Sequence, residues 1–284
     1  MAGIISTEEL AGRLGDKNLR ILDNRGSFAS YEENHIPGSQ FLHIETLRMS
    51  EGGMPCKMHA LPVLGAIFGR LGITRQSPVV VHATNPSDHL SAAYTAWTLA
   101  VTGNTNLYSL DGHIEKWTAE GRELTQQYPS VHEVQYEPQF DESIFADWKY
   151  ISDRLGNEDF ILVDSRTRSL YTGETGPTIR LGHIPGAVLH NFLWDFSREG
   201  TYLPLERIRD RYERKGVTPD KEVVTYCITG REGASNWFML KYLLGYPRVR
   251  LYQASLTEWA AIPELPMVTG NDPGEVPAHW RKAA

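Results

Sequence analysis

The amino-acid sequence predicts an α/β protein in which one fold occurs twice, each copy being a parallel sheet flanked by helices on both faces. Three observations support this prediction. The length of 284 residues suits two domains of roughly 100 to 150 residues each. Segments of the first half recur in the second half. Short β-branched runs also alternate with helix-like stretches, which is typical of parallel strands joined by right-handed crossovers.

The recurring segments keep the same order in both halves. They include an Asp-x-Arg strand end, an Ile-Pro-Gly turn and a Val-rich run. A repeat this long indicates duplicated domains rather than a solenoid. The pairs are residues 21–25 and 162–166, 34–39 and 182–187, 69–74 and 213–218, 79–83 and 223–227, 107–108 and 251–252, and 115–117 and 257–259.

The strands of each copy are expected where apolar and β-branched residues cluster between turn signals. In the first copy these clusters are residues 19–22, 40–43, 78–82 and 106–109, and the second copy has counterparts. Ligands of parallel sheets bind outside the carboxyl ends of the strands. Cys227 lies at such an end.

Breaks in the periodicity predict the domain boundaries. Polar residues and proline at 126–130 and 136–138 are typical of a linker. We expect an N-terminal domain over residues 1–125, a linker over 126–144 and a C-terminal domain over 145–284. The tail from Thr269 onward, which contains several glycines and prolines, is expected to be irregular.

The composition is that of an ordinary globular protein, with 41% hydrophobic and 22% charged residues. No apolar run approaches the roughly 18 residues of a membrane span, so no membrane partner is expected. The net charge of −7 argues against nucleic acid as a partner. The N-terminus shows no secretory signal, and two distant cysteines suit a reducing compartment. A cytoplasmic location is therefore expected.

No metal site is expected, because the ten histidines show no paired ligand spacing and neither cysteine has a second cysteine nearby. Free cysteines are most often inert, buried and small hydrophobic residues. That is the interpretation we give Cys56.

Cys227 is the candidate nucleophile. It follows the apolar run 223–226 and precedes an amphipathic stretch that begins at Ala234, which predicts a strand-to-helix turn. Unpaired N–H groups and the positive end of the helix dipole favour a thiolate there. Gly230 and Gly233 allow successive N–H groups to curl toward one point and bind an anion.

These segments together resemble the rhodanese family in its tandem-domain form. The resemblance is carried by the Asp-x-Arg strand end, the His-Ile-Pro-Gly turn, the cysteine loop after a Val-rich strand and the Tyr-then-Glu-Trp ending, in family order over nearly the whole chain. It implies two rhodanese-like domains and a sulfurtransferase activity. The loop cysteine accepts a sulfane sulfur from thiosulfate or 3-mercaptopyruvate, forms a persulfide, and passes the sulfur to cyanide or to a small or protein thiol. No cofactor is implied.

The first of the two copies lacks the nucleophile. Ala83 stands where the second copy has Cys227, and Pro86 removes one N–H group from the corresponding loop. The first domain is therefore expected to be catalytically silent and to wall one side of the active cleft.

The donor is expected to bind to the loop after the cysteine and to one arginine outside it. The resemblance implies a substrate-contacting role for Arg180, which lies two residues before the second Gly-His-Ile-Pro-Gly turn. The first two loop residues match neither the basic pattern of thiosulfate-preferring members nor the small residues of mercaptopyruvate enzymes. The loop residues are Ile228, Thr229, Gly230, Arg231, Glu232 and Gly233.

Two charged loop residues leave the choice of donor open. Arg231 either binds an anionic group of the donor or projects outward to pair with a carboxylate. The negative charge of Glu232 opposes thiolate formation and repels anionic donors, which favours a selective donor.

Four further residues are expected to be structural. Arg166 and Asp164 are expected to secure the strand end by a charge-assisted hydrogen bond. Tyr252 and Trp259 are expected in the core. His183 is expected to stabilise a turn.

The sequence leaves two alternatives to a sulfurtransferase. Cysteine-dependent phosphatases and arsenate reductases place five residues between the cysteine and an arginine, but that position is Gly233 here and Arg231 comes two residues early. The loop is too short for phosphate, which argues against a phosphatase or an arsenate reductase. A non-enzymatic sulfur carrier or protein-binding module is the second alternative, and the intact Cys227 favours an enzyme over it.

Overall fold

The structure is a computed structural model that describes residues 3–280. Within that range the chain divides into two compact units. Unit 1 contains residues 3–49, 58–141 and 195–203, and unit 2 contains residues 50–57, 142–194 and 204–280. A short segment of each sequence half thus belongs to the unit formed mainly by the other half.

Unit 1 is built on a five-stranded sheet in which every pairing is parallel, in the strand order β1-β7-β6-β2-β3. A separate two-stranded sheet pairs β4 with β5, and residues 50–57 of this sheet belong to unit 2. The strands are β1 (Gly3–Ile5), β2 (Arg20–Asp23), β3 (Ser39–Phe41), β4 (Arg48–Glu51), β5 (Met54–Met58), β6 (Val79–His82) and β7 (Leu107–Leu110). The helices are α1 (Thr7–Arg13), α2 (Phe28–Glu33), α3 (Leu61–Arg70), α4 (His89–Val101) and α5 (His113–Ala119), with a 3-10 turn at Ile44–Leu47.

Unit 2 repeats this topology with the strand order β10-β9-β11-β12-β8, again all parallel. The strands are β8 (Phe145–Ala146), β9 (Phe160–Asp164), β10 (Val188–Leu189), β11 (Glu222–Tyr226) and β12 (Val249–Tyr252). The helices are α6 (Trp148–Ser152), α7 (Arg168–Thr172), α8 (Leu205–Glu213), α9 (Arg231–Phe238) and α10 (Ser255–Trp259). A π-helical turn at Met239–Leu243 extends α9, and 3-10 turns lie at Glu142–Ile144, Phe192–Asp195 and Ala278–Trp280. The predicted duplicated α/β fold is confirmed.

The central strands form the core of each unit because they are apolar on both faces, as parallel strands covered by helices require. Val79, Val80 and Val81 of β6 are fully buried, and so are Val223 and Val224 of β11. Tyr252 and Trp259 also have no exposed surface, which confirms their predicted core positions.

The predicted linker is fixed against unit 1 over most of its length. Residues 126–141 form no helix or strand, but the N–H of Val134 donates to the carbonyl of Gly69 at 2.9 Å. A Cβ at Gly69 would lie 2.4 Å from the carbonyl oxygen of Val134. Only a glycine in α3 permits this approach, and unit 1 accordingly continues to Asp141.

The tail beyond Thr269 is irregular until the turn at Ala278–Trp280, as expected. Among the described residues, no helix combines the length and the apolar character that crossing a membrane requires.

Candidate functional site

Cys227 lies directly after β11, the middle strand of the unit 2 sheet, at the carboxyl edge. Its residue surface is 1% exposed. The backbone N–H of Cys227 donates to Ser255 Oγ at 3.1 Å, and its carbonyl accepts from the N–H of Leu256 at 3.2 Å. The start of α10 therefore fixes the backbone on both sides of the thiol.

Two glycines allow the cysteine loop to pack closely against the sheet. Gly230 is the N-cap of α9 with a φ of 85°, and a Cβ there would lie 2.4 Å from the carbonyl oxygen of Gln253. A Cβ at Gly233 would lie 3.1 Å from the Cα of Tyr226 and 2.9 Å from Leu251 Cδ1. Glycine at both positions is thus required by packing as well as by the predicted anion cradle.

Two carbonyls of the cysteine loop accept hydrogen bonds from neighbouring helices. The carbonyl of Ile228 accepts from the N–H of Thr257 at 3.0 Å and from its Oγ1 at 2.7 Å. The carbonyl of Gly230 accepts from the N–H of Ala234 at 2.9 Å, the first hydrogen bond of α9. The N–H groups of Thr229 and Gly233, in contrast, form hydrogen bonds with Cys227.

The protonation state of Cys227 differs from the sequence-based expectation. Burial, the largest effect, and the charge of Glu232 raise the pKa of the Cys227 thiol to about 12. Hydrogen bonds from the backbone N–H groups of Gly233 and Thr229 lower this pKa, but by less. The expected preference for a thiolate is therefore wrong for the unloaded site, because desolvation of a buried anion outweighs two N–H hydrogen bonds.

Glu232 lies in the first turn of α9 and its side chain forms a hydrogen bond with Cys227. Burial raises the pKa of the Glu232 carboxyl, and the nearby charge of Asp164 acts in the same direction, whereas Arg166 and Arg231 lower it. The prediction that Glu232 opposes thiolate formation is confirmed. Arg231 is half-buried and acts on Glu232 through its charge.

Arg166 and Asp164 form a buried ion pair at the end of β9. Arg166 Nη2 lies 2.6 Å from Asp164 Oδ2, Arg166 Nε lies 2.9 Å from Oδ1, and Arg166 Nη2 also donates to the carbonyl of Gly182 at 2.8 Å. The predicted charge-assisted hydrogen bond is confirmed. Burial lowers the pKa of Arg166, but the charge of Asp164 and, to a smaller extent, negative charge on Cys227 raise it. This guanidinium would therefore stabilise an anion on the sulfur. The sequence had indicated only its structural role.

Arg180 is engaged by the backbone beyond α10. Its guanidinium donates four hydrogen bonds of 2.7 to 2.9 Å, to the carbonyls of Trp259, Ala260, Ile262 and Leu265. A guanidinium has five N–H donors, so most of this group stabilises the end of α10. We therefore leave Arg180 out of the proposed donor site.

His183 stabilises a turn, as predicted. Its Nδ1 lies 2.8 Å from the carbonyl oxygen of Tyr171 and its Nε2 lies 3.1 Å from that of Asp272. Its ring stacks on the Tyr171 ring with centroids 3.7 Å apart.

Unit 1 reproduces the backbone of this site without a thiol. The N–H of Ala83 donates to His113 Nδ1 at 3.3 Å, and the carbonyl of Ala83 accepts from Ile114 at 3.2 Å. His113 and Ser255 both have a φ of 55°. Sequence reasoning missed Ser255, although the repeat of 115–117 at 257–259 already aligns it with His113.

Cys56 is not the buried residue that the sequence suggested. It is half-buried, lies in β5 with a φ of 71°, and belongs to the segment 50–57 of unit 2. Its carbonyl accepts a hydrogen bond from the side chain of Gln253.

The family model described as a rhodanese-like domain matches the chain twice, over residues 6–120 and 147–262. A putative thiosulfate sulfurtransferase of Synechococcus elongatus is 34% identical over 273 residues, covering 92% of this chain and 83% of that protein. A probable 3-mercaptopyruvate sulfurtransferase of Pseudomonas aeruginosa is 31% identical, covering 95% of this chain and 99% of that protein.

Two further similarities concern sulfur handling. The sulfur carrier protein TtuD of Thermus thermophilus is 32% identical, covering 95% of this chain and 97% of that protein. A solved structure of an EanB variant, in complex with ergothioneine covalently linked with a cysteine persulfide, superposes with a TM-score of 0.85. Its sequence identity is 22%, and the match covers 94% of this chain and 70% of that one. At that identity the match supports the fold alone.

Proposed function

This chain belongs to the family of rhodanese-like domains, as a sulfurtransferase with two copies of the domain, and on that premise we propose that it moves a sulfane sulfur from thiosulfate or 3-mercaptopyruvate to a thiophilic acceptor through a persulfide on Cys227. The C-terminal domain, residues 145–284, carries the reaction, and the N-terminal domain, residues 1–125, is catalytically silent. We assign the reaction to the cytoplasm, where thiols stay reduced.

The position of Cys227 is the observation that carries this proposal. The thiol is buried at the carboxyl edge of the central strand, with the N–H groups of Thr229 and Gly233 hydrogen-bonded to it. Those N–H groups can stabilise the negative charge of a persulfide, which would be unfavourable at a buried sulfur without hydrogen-bond donors. Arg166 adds positive charge.

The first half-reaction forms one S–S bond and breaks one bond in the donor. Cys227 Sγ bonds to the sulfane sulfur, and that sulfur separates from the rest of the donor, which keeps the electron pair. Thiosulfate leaves as sulfite, and 3-mercaptopyruvate leaves as the enolate of pyruvate, which takes up a proton at carbon. The thiol proton of Cys227 must move in either case, because the raised pKa keeps it on the sulfur at neutral pH.

Glu232 is the group that receives this proton in our proposal. Its carboxylate is hydrogen-bonded to Cys227 in the unloaded site. The raised pKa of the Glu232 carboxyl lies closer to neutral pH than that of a free carboxyl, and a pKa near the working pH is the property of an effective general base. Donors whose leaving group takes up a proton, such as 3-mercaptopyruvate, then regenerate the Glu232 carboxylate directly.

A sulfur-carrier role is the second candidate, because TtuD, a relative of similar length, is named a sulfur carrier protein. In that role the persulfide on Cys227 would pass to another protein rather than to a small acceptor.

Intact mass spectrometry tests the proposed function. Incubation with thiosulfate and, separately, with 3-mercaptopyruvate should add one sulfur atom that reductant removes, and peptide mapping should locate it at Cys227. The variant Cys227→Ser should load no sulfur from either donor. Loading that survives this substitution would overturn the assignment of Cys227.

The release of sulfur from loaded Cys227 distinguishes the enzyme from the sulfur carrier. A catalytic rate of thiocyanate formation with cyanide supports the enzyme. Stoichiometric loading with transfer only to a protein thiol supports the carrier.

A further inference from the structure

Asn236 of α9 is a buried amide whose hydrogen bonds fix this helix to the sheet of unit 2. The residue has no exposed surface, and its Nδ2 donates to Ser165 Oγ at 2.9 Å and to the carbonyl of His190 at 2.7 Å. Ser165 follows directly after β9, and His190 follows directly after β10. Because a carbonyl can only accept, the contact with His190 also fixes which end of the amide faces the sheet. The helix is therefore tied to the carboxyl ends of two neighbouring strands.

Glu232 lies on the same face of α9 as Asn236. It precedes Asn236 by four residues, and residues four apart lie above one another on a helix, about 6 Å apart along its axis. The charges of Asp164 and Arg166, which flank Ser165, act on the Glu232 carboxyl, as expected for a helix face at the end of β9. The contacts of Asn236 thus hold the face of the helix that carries the proposed proton acceptor.

A second contact fixes the first turn of α9 against β11. The hydroxyl of Thr225, two residues before Cys227, donates to the carbonyl of Gly233 at 2.8 Å. The N–H of the same glycine is hydrogen-bonded to Cys227. Gly233 and Asn236 are about one helical turn apart, so the two anchors oppose rotation of the helix about its axis. The hydrogen bond between Glu232 and Cys227 therefore keeps its geometry.

Unit 1 contains the corresponding contact with its two kinds of side chain exchanged. Asn24, directly after β2, donates from Nδ2 to the carbonyl of Leu42 at 2.9 Å and to Oγ1 of Thr95 in α4 at 3.0 Å. The amide thus belongs to the strand end in unit 1 and to the helix in unit 2. It ties α4 to the sheet by one hydrogen bond, whereas it ties α9 by two. The firmer of these two anchors occurs in the unit that carries the candidate nucleophile.

We propose that Asn236 is a positioning residue for sulfur loading, because it holds Glu232 where its carboxylate can accept the proton of Cys227. This inference rests on the proposed function. The S–H bond of Cys227 breaks, its proton passes to the Glu232 carboxylate, and the electron pair stays on the sulfur, which attacks the donor. Asn236 acts on this step through α9. Without its two hydrogen bonds the Glu232 carboxylate would turn toward water, and the thiol would lose its proton acceptor.

The pH dependence of loading reports the position of Glu232. Only the carboxylate accepts a proton, so the rate of single-turnover sulfur loading at Cys227 should fall as pH falls through the raised pKa of Glu232. In Asn236→Ala the carboxyl is released toward solvent, its pKa returns toward 4.5, and this acid limb should move to lower pH. Loading should also become slower by about tenfold to a hundredfold, the usual effect of misplacing a catalytic group by about 1 Å.

Asn24→Ala is the matched control. It removes the corresponding two hydrogen bonds in unit 1, which contains no cysteine. This variant should lower the free energy of unfolding without moving the acid limb of loading. A merely structural role of Asn236 predicts the same behaviour for Asn236→Ala.

Two double variants test whether Asn236 acts through Glu232. Glu232→Gln/Asn236→Ala should load at the same rate as Glu232→Gln alone, because the anchor has no effect once the carboxylate is gone. Ser165→Asn/Asn236→Thr copies the arrangement of unit 1 and should recover most of the lost rate and the position of the acid limb.

An unmoved acid limb in Asn236→Ala overturns the proposal, and so does a further loss of rate when Asn236→Ala is added to Glu232→Gln. An exchanged pair that recovers the stability of the wild type but not its acid limb also overturns it. If Asn236→Ala does not fold, Ser165→Ala, which removes one of the two hydrogen bonds, should move the acid limb in the same direction by less, and an unmoved limb there overturns the proposal. Absence of sulfur on Cys227 of the wild type would instead count against the proposed function.

Discussion

Substitution of Gly230 by alanine should destabilise the protein by two separable effects. The φ of 85° lies in the left-handed region, which costs a residue with a Cβ about 1 to 2 kcal/mol. The added Cβ would also lie 2.4 Å from the carbonyl oxygen of Gln253, and relief of such an overlap in a packed interior costs about 1 to 3 kcal/mol. The expected decrease in the free energy of unfolding is therefore about 2 to 5 kcal/mol.

Gly245 provides the matched control. Its φ is 72°, yet a Cβ there would meet nothing within 4 Å. Gly245→Ala should therefore show the conformational effect alone, about 1 to 2 kcal/mol. Urea unfolding of both variants, with the dependence on denaturant compared with that of the wild type, measures the difference. Equal destabilisation of the two variants would refute the close approach between Gly230 and Gln253.

Two further predictions concern titration. Glu232→Gln removes a charge that raises the pKa of the Cys227 thiol, so the midpoint of its alkylation should move to lower pH while sulfur loading slows; faster loading would contradict the role of Glu232 as proton acceptor. Burial lowers the pKa of His89 from 6.5 to about 3. The contribution of the neutral imidazole to the free energy of unfolding is therefore fully present above the unfolded-state pKa and is lost as pH falls. Between about pH 6.5 and 5 this loss amounts to about 2 kcal/mol. The free energy of unfolding of His89→Gln, measured with urea, should depend less on pH than that of the wild type. An unchanged pH dependence would contradict the lowered pKa of His89.

The strands were predictable because their signals are local and occur twice. The run 78–82 corresponds to Val79–His82 and the run 106–109 to Leu107–Leu110, since β-branched residues between turn signals specify buried parallel strands. The repeat placed Cys227 at a strand end for the same reason. These inferences need only short segments and their order.

The details of the site depend on contacts between distant segments. The four carbonyl partners of Arg180 are 79 to 85 residues away along the chain. The partner of the Cys56 carbonyl, Gln253, is 197 residues away. The pKa of Cys227 depends on how deeply the fold buries it and on the position of Glu232, and neither is encoded in the turn itself. The inference from the helix N-terminus alone therefore overestimated the stability of the thiolate.

Unit 1 differs from unit 2 after its central strand by more than the absence of a thiol. The N–H of Ala83 is held by His113 as that of Cys227 is held by Ser255, so the backbone after the central strand is retained. However, α4 begins at His89, six residues after Ala83, whereas α9 begins four residues after Cys227. The buried rings of His89 and His113, with centroids 5.2 Å apart, lie beside the Ala83 loop. The turn after the central strand of unit 1 thus differs from that of unit 2 in its length and in its two buried imidazoles as well as in the missing thiol.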